Sequence, residues 1–388
     1  MTPSPTDPTV RAPRGGAIVF AGGGTAGHVL PGIAVANALV ARGHDPGSIH
    51  FVVSERGSER SLVVDAGYPV TALPGRGIQR RLSPSAIAAN VGAVVGLVVA
   101  VVRAFGLVRR VRPTAVVVLG GFASAAIALA AAVFRVPLVV AEQNARAGAV
   151  SRLAARVAVA CALPFADTDL PRGTVTGNPV RAEVLAVDRA GGRDAARGAL
   201  DLPLDRTVVA VFAGSLGATR INTAVRGLAD RWSDRADLAI RHVVGDRDWD
   251  DAAAHPVTST DGGLVYQQIR YEDRMDLLLA AADLVVCRSG GTTVAEIAVV
   301  GCPAILVPLP IATRDHQTAN AAALVAAGAA VLLPDADVDA ERLDEIVSGL
   351  IAAPGRLAEM AAAARTVAFP EAADLVADLI EDHARARR

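Results

Sequence analysis

The sequence predicts an α/β protein made of two doubly wound, parallel-sheet domains, and three observations carry that expectation. All-apolar runs of strand length, such as 17–21, 115–119 and 208–213, recur with helical patterns between them. Glycine-bearing turns follow several of these runs. The alternation breaks after Gly177-Asn-Pro-Val-Arg181 and restarts near residue 207 in the same form: strand, glycine loop, helix. With 388 residues the chain has room for two full cores.

Residues 1–14 hold four prolines and no apolar core, so they read as a disordered tail and not as a signal peptide. The first domain, 15–178, opens with the strand at 17–21. That strand runs into Gly22-Gly-Gly-Thr-Ala-Gly-His28 and an apolar helix that stops at Arg42-Gly43. A strand at 49–53 follows. The strand at 115–119 leads into Gly120-Gly121 and a helix, and the strand at 137–141 into Glu142-Gln-Asn144. Runs at 157–161 and 174–176 complete this half. Residues 186–202, charged and glycine-bearing, read as the linker within a second domain spanning 179–365. Its strands are expected at 207–213, 239–244, 264–266, 284–287, 304–307 and 330–333. A C-terminal helix within 366–388 is expected to pack back on the first domain. Two such domains facing one another would leave an interdomain cleft lined by strand C-termini, where ligands bind in open α/β sheets.

The net charge of −1 gives no global basic field, so nucleic acid is not an expected partner. Cys161, Cys287 and Cys302 lack metal or redox spacing and read as buried thiols in a reducing compartment. Residues 82–102 carry no charge and reach the lower edge of membrane-spanning length, with Arg80, Arg81, Arg103, Arg109, Arg110 and Arg112 at their flanks. Ser83, Ser85, Asn90 and two glycines stand against spanning, as do strand patterns of one sheet on both sides. A buried core helix is one alternative. The other is an exposed apolar helix resting on a membrane, its arginines on anionic headgroups.

Residues 284–320 hold the densest chemistry. A buried strand enters the turn Ser289-Gly-Gly-Thr-Thr293, a helix follows over about 293–299, and after a second strand comes Arg314-Asp-His-Gln-Thr-Ala-Asn320. Stacked backbone N–H groups, two hydroxyls and a helix N-terminus make that turn an anion site. Glu296 lies one turn in, able to take hydroxyls of a sugar joined to the anion. Together these features point to a nucleotide-sugar. A rival reading exists: Gly22, Gly24 and Gly27 match the dinucleotide-binding G-x-G-x-x-G, with Glu55 near the end of the second strand. It leaves the second glycine loop and the 289–296 turn unexplained. His28 sits at a helix N-terminus, where the dipole favours a neutral imidazole able to accept a proton; capping the turn is its simpler role. Glu142 is either a cleft residue or a solvated loop carboxylate.

Six segments stand in the order of one known family: 23–32, Glu142-Gln-Asn144, 177–181, Gly214-Ser-Leu-Gly-Ala218, 287–297 and 315–321. In them the chain resembles the MurG family, bacterial N-acetylglucosaminyltransferases that convert lipid I to lipid II in peptidoglycan synthesis. The resemblance spans roughly 15–370. It implies a GT-B fold of two Rossmann-like domains, the second holding UDP-N-acetylglucosamine and the first the undecaprenyl-diphosphate-linked muramyl-pentapeptide. Ser215, Thr292 and Thr293 would face the UDP diphosphate, within the run Gly291, Val294, Ala295 and Glu296, and Glu296 would take the ribose. Gln317 and His316 would read the sugar, and Arg181, Asn144, Thr25, Ala26 and Gly27 would complete the donor site. The glycine loops at 22–27 and 120–121 would take the acceptor diphosphate, and the uracil pocket would fall near 269–272. His28 is the first choice of base and Glu142 the second. The resemblance implies no cofactor and no metal. It also implies a peripheral place on the cytoplasmic face of the plasma membrane, with helix 86–102 against the anionic surface. Departures from the family pattern are Ala141, Phe122 with Ala125-Ala126, and Ala213 with Leu216. Other GT-B enzymes of UDP-sugars, a glycolipid glycosyltransferase or an epimerase, are the alternative class.

Overall fold

In a computed structural model the described residues are 16–55, 59–74, 84–214, 216–257 and 260–385, without the side chains of 84–95. The tail expected at 1–14, Arg80, Arg81, Ser83 and Ser215 lie outside them. The chain divides into one unit of Met1–Arg181 with Glu371–Arg388 and a second of Ala182–Pro370.

Unit 1 contains β1 (Ile18–Gly22), α1 (Ala26–Ala41), β2 (Ile49–Ser54), α2 (Glu59–Asp65), β3 (Val70–Leu73) and α3 (Pro84–Val111). These are followed by β4 (Ala115–Gly120), α4 (Phe122–Val133), β5 (Leu138–Ala141), α5 (Ala149–Ala154), β6 (Ala160–Leu163) and β7 (Gly173–Val175). Every strand pairing is parallel, in the order β3-β2-β1-β4-β5-β6-β7. The central strands carry Val, Ile, Leu and Phe on both faces because helices cover both. Phe20 stacks on Phe51 at 5.1 Å within the core beneath α1. On the opposite face Ala100, Ala104, Leu107 and Val108 of α3 pack against α4 and the sheet. The outward side of α3 leaves Val98 58% and Val102 67% exposed. Among the described residues no single helix is long and apolar enough to cross a membrane.

Unit 2 contains α6 (Ala182–Leu185), α7 (Arg189–Ala199), β8 (Thr207–Phe212), α8 (Thr219–Arg231), β9 (Leu238–Val243), α9 (Trp249–Ala254), β10 (Val265–Ile269) and α10 (Met275–Ala281). Then come β11 (Leu284–Cys287), α11 (Gly291–Val300), β12 (Ala304–Leu306), α12 (His316–Ala326), β13 (Ala330–Leu332), α13 (Ala340–Ala352) and α14 (Arg356–Arg365). Its sheet is parallel in the order β10-β9-β8-β11-β12-β13. In both sheets the strand order reverses beside the first strand, between β1 and β4 and between β8 and β11. Loops diverge at such a switch point and leave a crevice at the strand C-termini.

The last helix, α15 (Ala372–His383), belongs to unit 1. Val376, Ala377 and Ile380 enter the core beside α1, and Arg42 pairs with Asp374, Asp378 and Glu381.

One expectation needs correction. Residues 186–202 are not a linker: most of them form α7, which packs on α10 inside unit 2. The cause is Arg197, 0% exposed. Its Nε donates to Ala281 O at 3.1 Å, its Nη1 reaches the carbonyls of Leu204 and Arg206, and its Nη2 meets Asp283 at 2.6 Å. A buried guanidinium is tolerable only when so fully partnered. The three cysteines are free and buried, and burial pushes the Cys161 thiol up to about 11.

Candidate active site

In unit 2 the chain leaves β11 through Arg288-Ser289-Gly290 and enters α11 at Gly291. The N-cap is Gly290, which has no side chain to cap the helix, and Val294 N–H donates back to Gly290 O at 2.9 Å. The helix N-terminus therefore opens at the switch point with its dipole and its first-turn groups, among them Thr292 and Thr293, toward the strand ends. Val294 is buried, Ala295 half-buried, and Glu296 is buried one turn in.

Two residues to which sequence reasoning gave no role, Arg288 and Asn320, brace this turn. Arg288 donates to the carbonyls of Val307 (3.2 Å) and Pro308 (3.0 Å) and lies 2.7 Å from Asp335, so the chain ends of β11, β12 and β13 are tied together. Asn320 of α12 donates its Nδ2 to Ser289 O at 3.0 Å. Ser289 is buried, and its Oγ has no partner among the described residues. The residue types stood in the motif, but nothing in their spacing said that they would meet.

α12 carries the second cluster. Gln317 Oε1 accepts from Leu309 N–H at 2.9 Å, which fixes the amide's orientation. His316 Nδ1 lies 2.9 Å from Thr313 O; a carbonyl can only accept, so Nδ1 carries the proton. Arg314 (φ 57°) and Asp315 (φ 51°) lie consecutively in the left-handed region, at about 1–3 kcal/mol each. Thr318 Oγ1 donates to Asp315 at 2.7 Å and holds that conformation.

The loop after β8 packs backbone to backbone on the loop after β9: a Cβ at Gly217 would stand 2.0 Å from Val244 O. A polar chain lies beneath them. Asn222 donates to Val244 O (2.9 Å) and Asp248 (2.8 Å), and its Oδ1 faces His242 Nε2 at 3.0 Å. His242 Nδ1 meets the Tyr266 hydroxyl at 2.7 Å. In the region expected to hold uracil, Glu272 is buried against Arg241 at 2.7 Å, whereas Tyr271 is exposed.

Unit 1 builds its cluster where β1 and β4 part. Thr25 is the N-cap of α1, yet its hydroxyl does not cap the helix; Oγ1 lies 3.2 Å from His28 Nδ1. Thr25 is exposed, and Ala26, Gly27 and His28 are half-buried. Gly121 (φ 80°) must be glycine, since a Cβ would stand 1.9 Å from Gly23 O. The two glycine loops are thus in backbone contact. At the end of β5, buried Glu142 accepts from Gln143 N–H (2.9 Å), Asn144 N–H (3.1 Å) and Gly148 N–H (3.2 Å). Asn144 and Arg181 are half-buried, and both have polar or charged partners. Among the described residues no three His, Cys, Asp or Glu are grouped to hold a metal ion.

Two parallel-sheet units, each with a glycine turn and a helix N-terminus at its switch point, define a protein of the GT-B class. The Glycosyltransferase family 28 N-terminal domain matches residues 18–163 and the family's C-terminal domain matches 208–376. The chain belongs to glycosyltransferase family 28. It is 40% identical to a protein of Clavibacter michiganensis over 95% of this chain and 97% of that one, and 37% identical to one of Salinibacter ruber over 95% and 96%. Both relatives are named UDP-N-acetylglucosamine–N-acetylmuramyl-(pentapeptide) pyrophosphoryl-undecaprenol N-acetylglucosamine transferase. Among solved structures, Acinetobacter baumannii MurG is similar with a TM-score of 0.72 and 28% identity, over 95% of this chain and 100% of that one.

Proposed function

We propose that this chain transfers N-acetylglucosamine from UDP-N-acetylglucosamine to the muramyl 4-hydroxyl of undecaprenyl-diphosphate-linked N-acetylmuramyl-pentapeptide, inverting the anomeric carbon. The observation that carries the proposal is the open N-terminus of α11, with Glu296 one turn in, in a chain that such transferases match over 95% of its length.

The acceptor oxygen bonds to the anomeric carbon as the bond from that carbon to the UDP oxygen breaks. The hydroxyl proton passes to His28, and UDP leaves with the electron pair. We assign the proton to His28 Nδ1, which lies 3.2 Å from Thr25 Oγ1, and this makes Nε2 the proton acceptor. First-turn N–H groups of α11 and the hydroxyls of Thr292, Thr293 and Ser215 neutralise the departing diphosphate, with Gly291, Val294 and Ala295 lending backbone. Glu296 takes the ribose hydroxyls and Gln317 with His316 the sugar; Arg181, Asn144, Thr25, Ala26 and Gly27 complete the donor site.

The acceptor is a lipid, and unit 1 has a surface suited to one. Val98, Val102, Leu129, Val133 and Phe134 are exposed on α3, on α4 and just past its end, and Arg103 and Arg109 lie exposed on α3. Apolar side chains entering the acyl boundary, with arginines on anionic headgroups, would hold the enzyme peripherally on the cytoplasmic face of the plasma membrane.

The test is to mix the protein with labelled UDP-N-acetylglucosamine and a short-chain lipid I analogue. Labelled disaccharide is the expected product. UDP release with sugar interconversion and no disaccharide would make the chain an epimerase instead.

A further inference from the structure

Glu142 combines three properties that a proton acceptor should not have together. It is only 5% exposed. Its Oε1 accepts from the N–H groups of Gln143 (2.9 Å) and Asn144 (3.1 Å) and from Asn144 Nδ2 (3.3 Å). Its Oε2 accepts from Gly148 N–H at 3.2 Å. A carboxylate offers about four lone-pair sites, and four donors already converge on this one. All of them come from the short loop that begins at Glu142 and ends at Gly148, the N-cap of α5.

That loop is also pinned from outside. Gln143 Nε2 donates to Ala141 O at 2.5 Å, and Asn178 Nδ2 donates to Gln143 O at 3.4 Å. Glu142 folds back from the strand end and closes the ring by gripping Gly148. Bonds from N–H to an ionised carboxylate are about twice as strong as neutral ones, so a single anion holds the whole loop in shape. The bond from Nδ2 also settles which end of the Asn144 amide turns toward Glu142.

We infer that Glu142 is a positioning residue: a buried anion that latches the 142–148 loop and fixes the orientation in which Asn144 meets the donor sugar. The inference rests on the proposed reading of Asn144 as a donor-site residue. It removes Glu142 from candidacy as the base.

The test compares the full-length protein with Glu142→Gln and Gly148→Pro. Glutamine keeps one acceptor oxygen and turns an NH₂ group against Gly148 N–H, donor facing donor. Proline at 148 replaces that N–H by a ring carbon, which cannot donate and forces Oε2 to let go of this end of the loop. The position has φ −65°, which proline adopts, and nothing stands within 4 Å of where a Cβ would lie. Hydrogen exchange at Gln143 and Asn144 should accelerate roughly tenfold to a hundredfold in both variants, and at Gly148 in Glu142→Gln. Exchange in β1 and β8 should stay at wild-type rates. In turnover assays the donor KM should rise in both variants, and the acid limb of the pH–rate profile should stay where it is in the wild type. Wild-type exchange at Gln143 and Asn144 in either variant would overturn the latch. Loss of the acid limb in Glu142→Gln would make Glu142 the base after all. The exchange readout needs no substrate, so it stands apart from any failure of the proposed transfer reaction.

Discussion

The imidazole of His28 lies against Gly120: a Cβ at that glycine would stand 3.2 Å from both Nε2 and Cδ2 of the ring. Gly120 also has φ 99°, a conformation side chains rarely adopt. The β4 turn therefore makes room for the residue proposed as base. Gly120→Ala is expected to push the ring aside and cut turnover at least tenfold, with the donor Kd little changed. His28→Ala should lower turnover roughly 10²–10⁴-fold, the range for one acid–base group. Steady-state kinetics on both variants, with circular dichroism to verify folding, checks this; wild-type turnover in His28→Ala removes it from the mechanism.

Glu296 and Asn320 separate contact from support. Glu296→Ala should weaken UDP-sugar binding by about 1.5–3 kcal/mol, the worth of hydrogen bonds to a charged group, and leave acceptor binding alone. Asn320→Ala strips the Ser289 carbonyl of its Nδ2 partner and should cost about 1–3 kcal/mol of stability as well as donor affinity. Calorimetric titration with UDP and urea unfolding report the two effects. Unchanged donor affinity in Glu296→Ala counts against the ribose assignment.

His242 sets an acid limit on stability. Asn222 Oδ1 accepts from its Nε2, and because burial keeps the ring neutral, Nδ1 accepts from the Tyr266 hydroxyl. Burial, helped by the charge of Arg226, pushes it down from 6.5 to about 3. Below pH 6.5 the unfolded chain takes up a proton that the folded ring refuses. Stability is therefore lost as the pH falls from 6.5 toward 3, by up to about 1.4 kcal/mol per pH unit from this group, and above 6.5 the group contributes no slope. Urea midpoints between pH 8 and pH 4 should fall more steeply in the wild type than in His242→Gln. Parallel curves would contradict this.

Val102 tests the membrane surface. Val102→Glu puts a charge on the exposed side of α3 and should reduce flotation with anionic vesicles several-fold, while turnover of a water-soluble acceptor is preserved. Unchanged flotation would assign the exposed valines no part in membrane contact.

Much of this architecture could be read directly from the residues. β1, β4, β8 and β11 are apolar on both faces, and each runs into a turn rich in glycine, so parallel strands and their loops declare themselves. β7, a short and wholly exposed edge strand expected at 174–176, lies at Gly173–Val175. α7 hid inside a charged stretch because the carbonyls that bury Arg197 come from residue 281 and from 203–206, a meeting no local pattern encodes. Motif spacing likewise marked 288–296 and 315–320, but not that Asn320 would brace Ser289. Glu142 is buried and not a solvated carboxylate, because the loop after it folds back onto it, which a list of an acid's neighbours does not show.

A crystal of the full-length protein soaked with UDP bears most directly on the central claim, that backbone N–H and hydroxyl groups of the polypeptide hold the leaving diphosphate. The diphosphate is expected within hydrogen-bonding reach of the first turn of α11, with the ribose hydroxyls at Glu296. Nucleotide bound anywhere away from the 289–296 segment would contradict it.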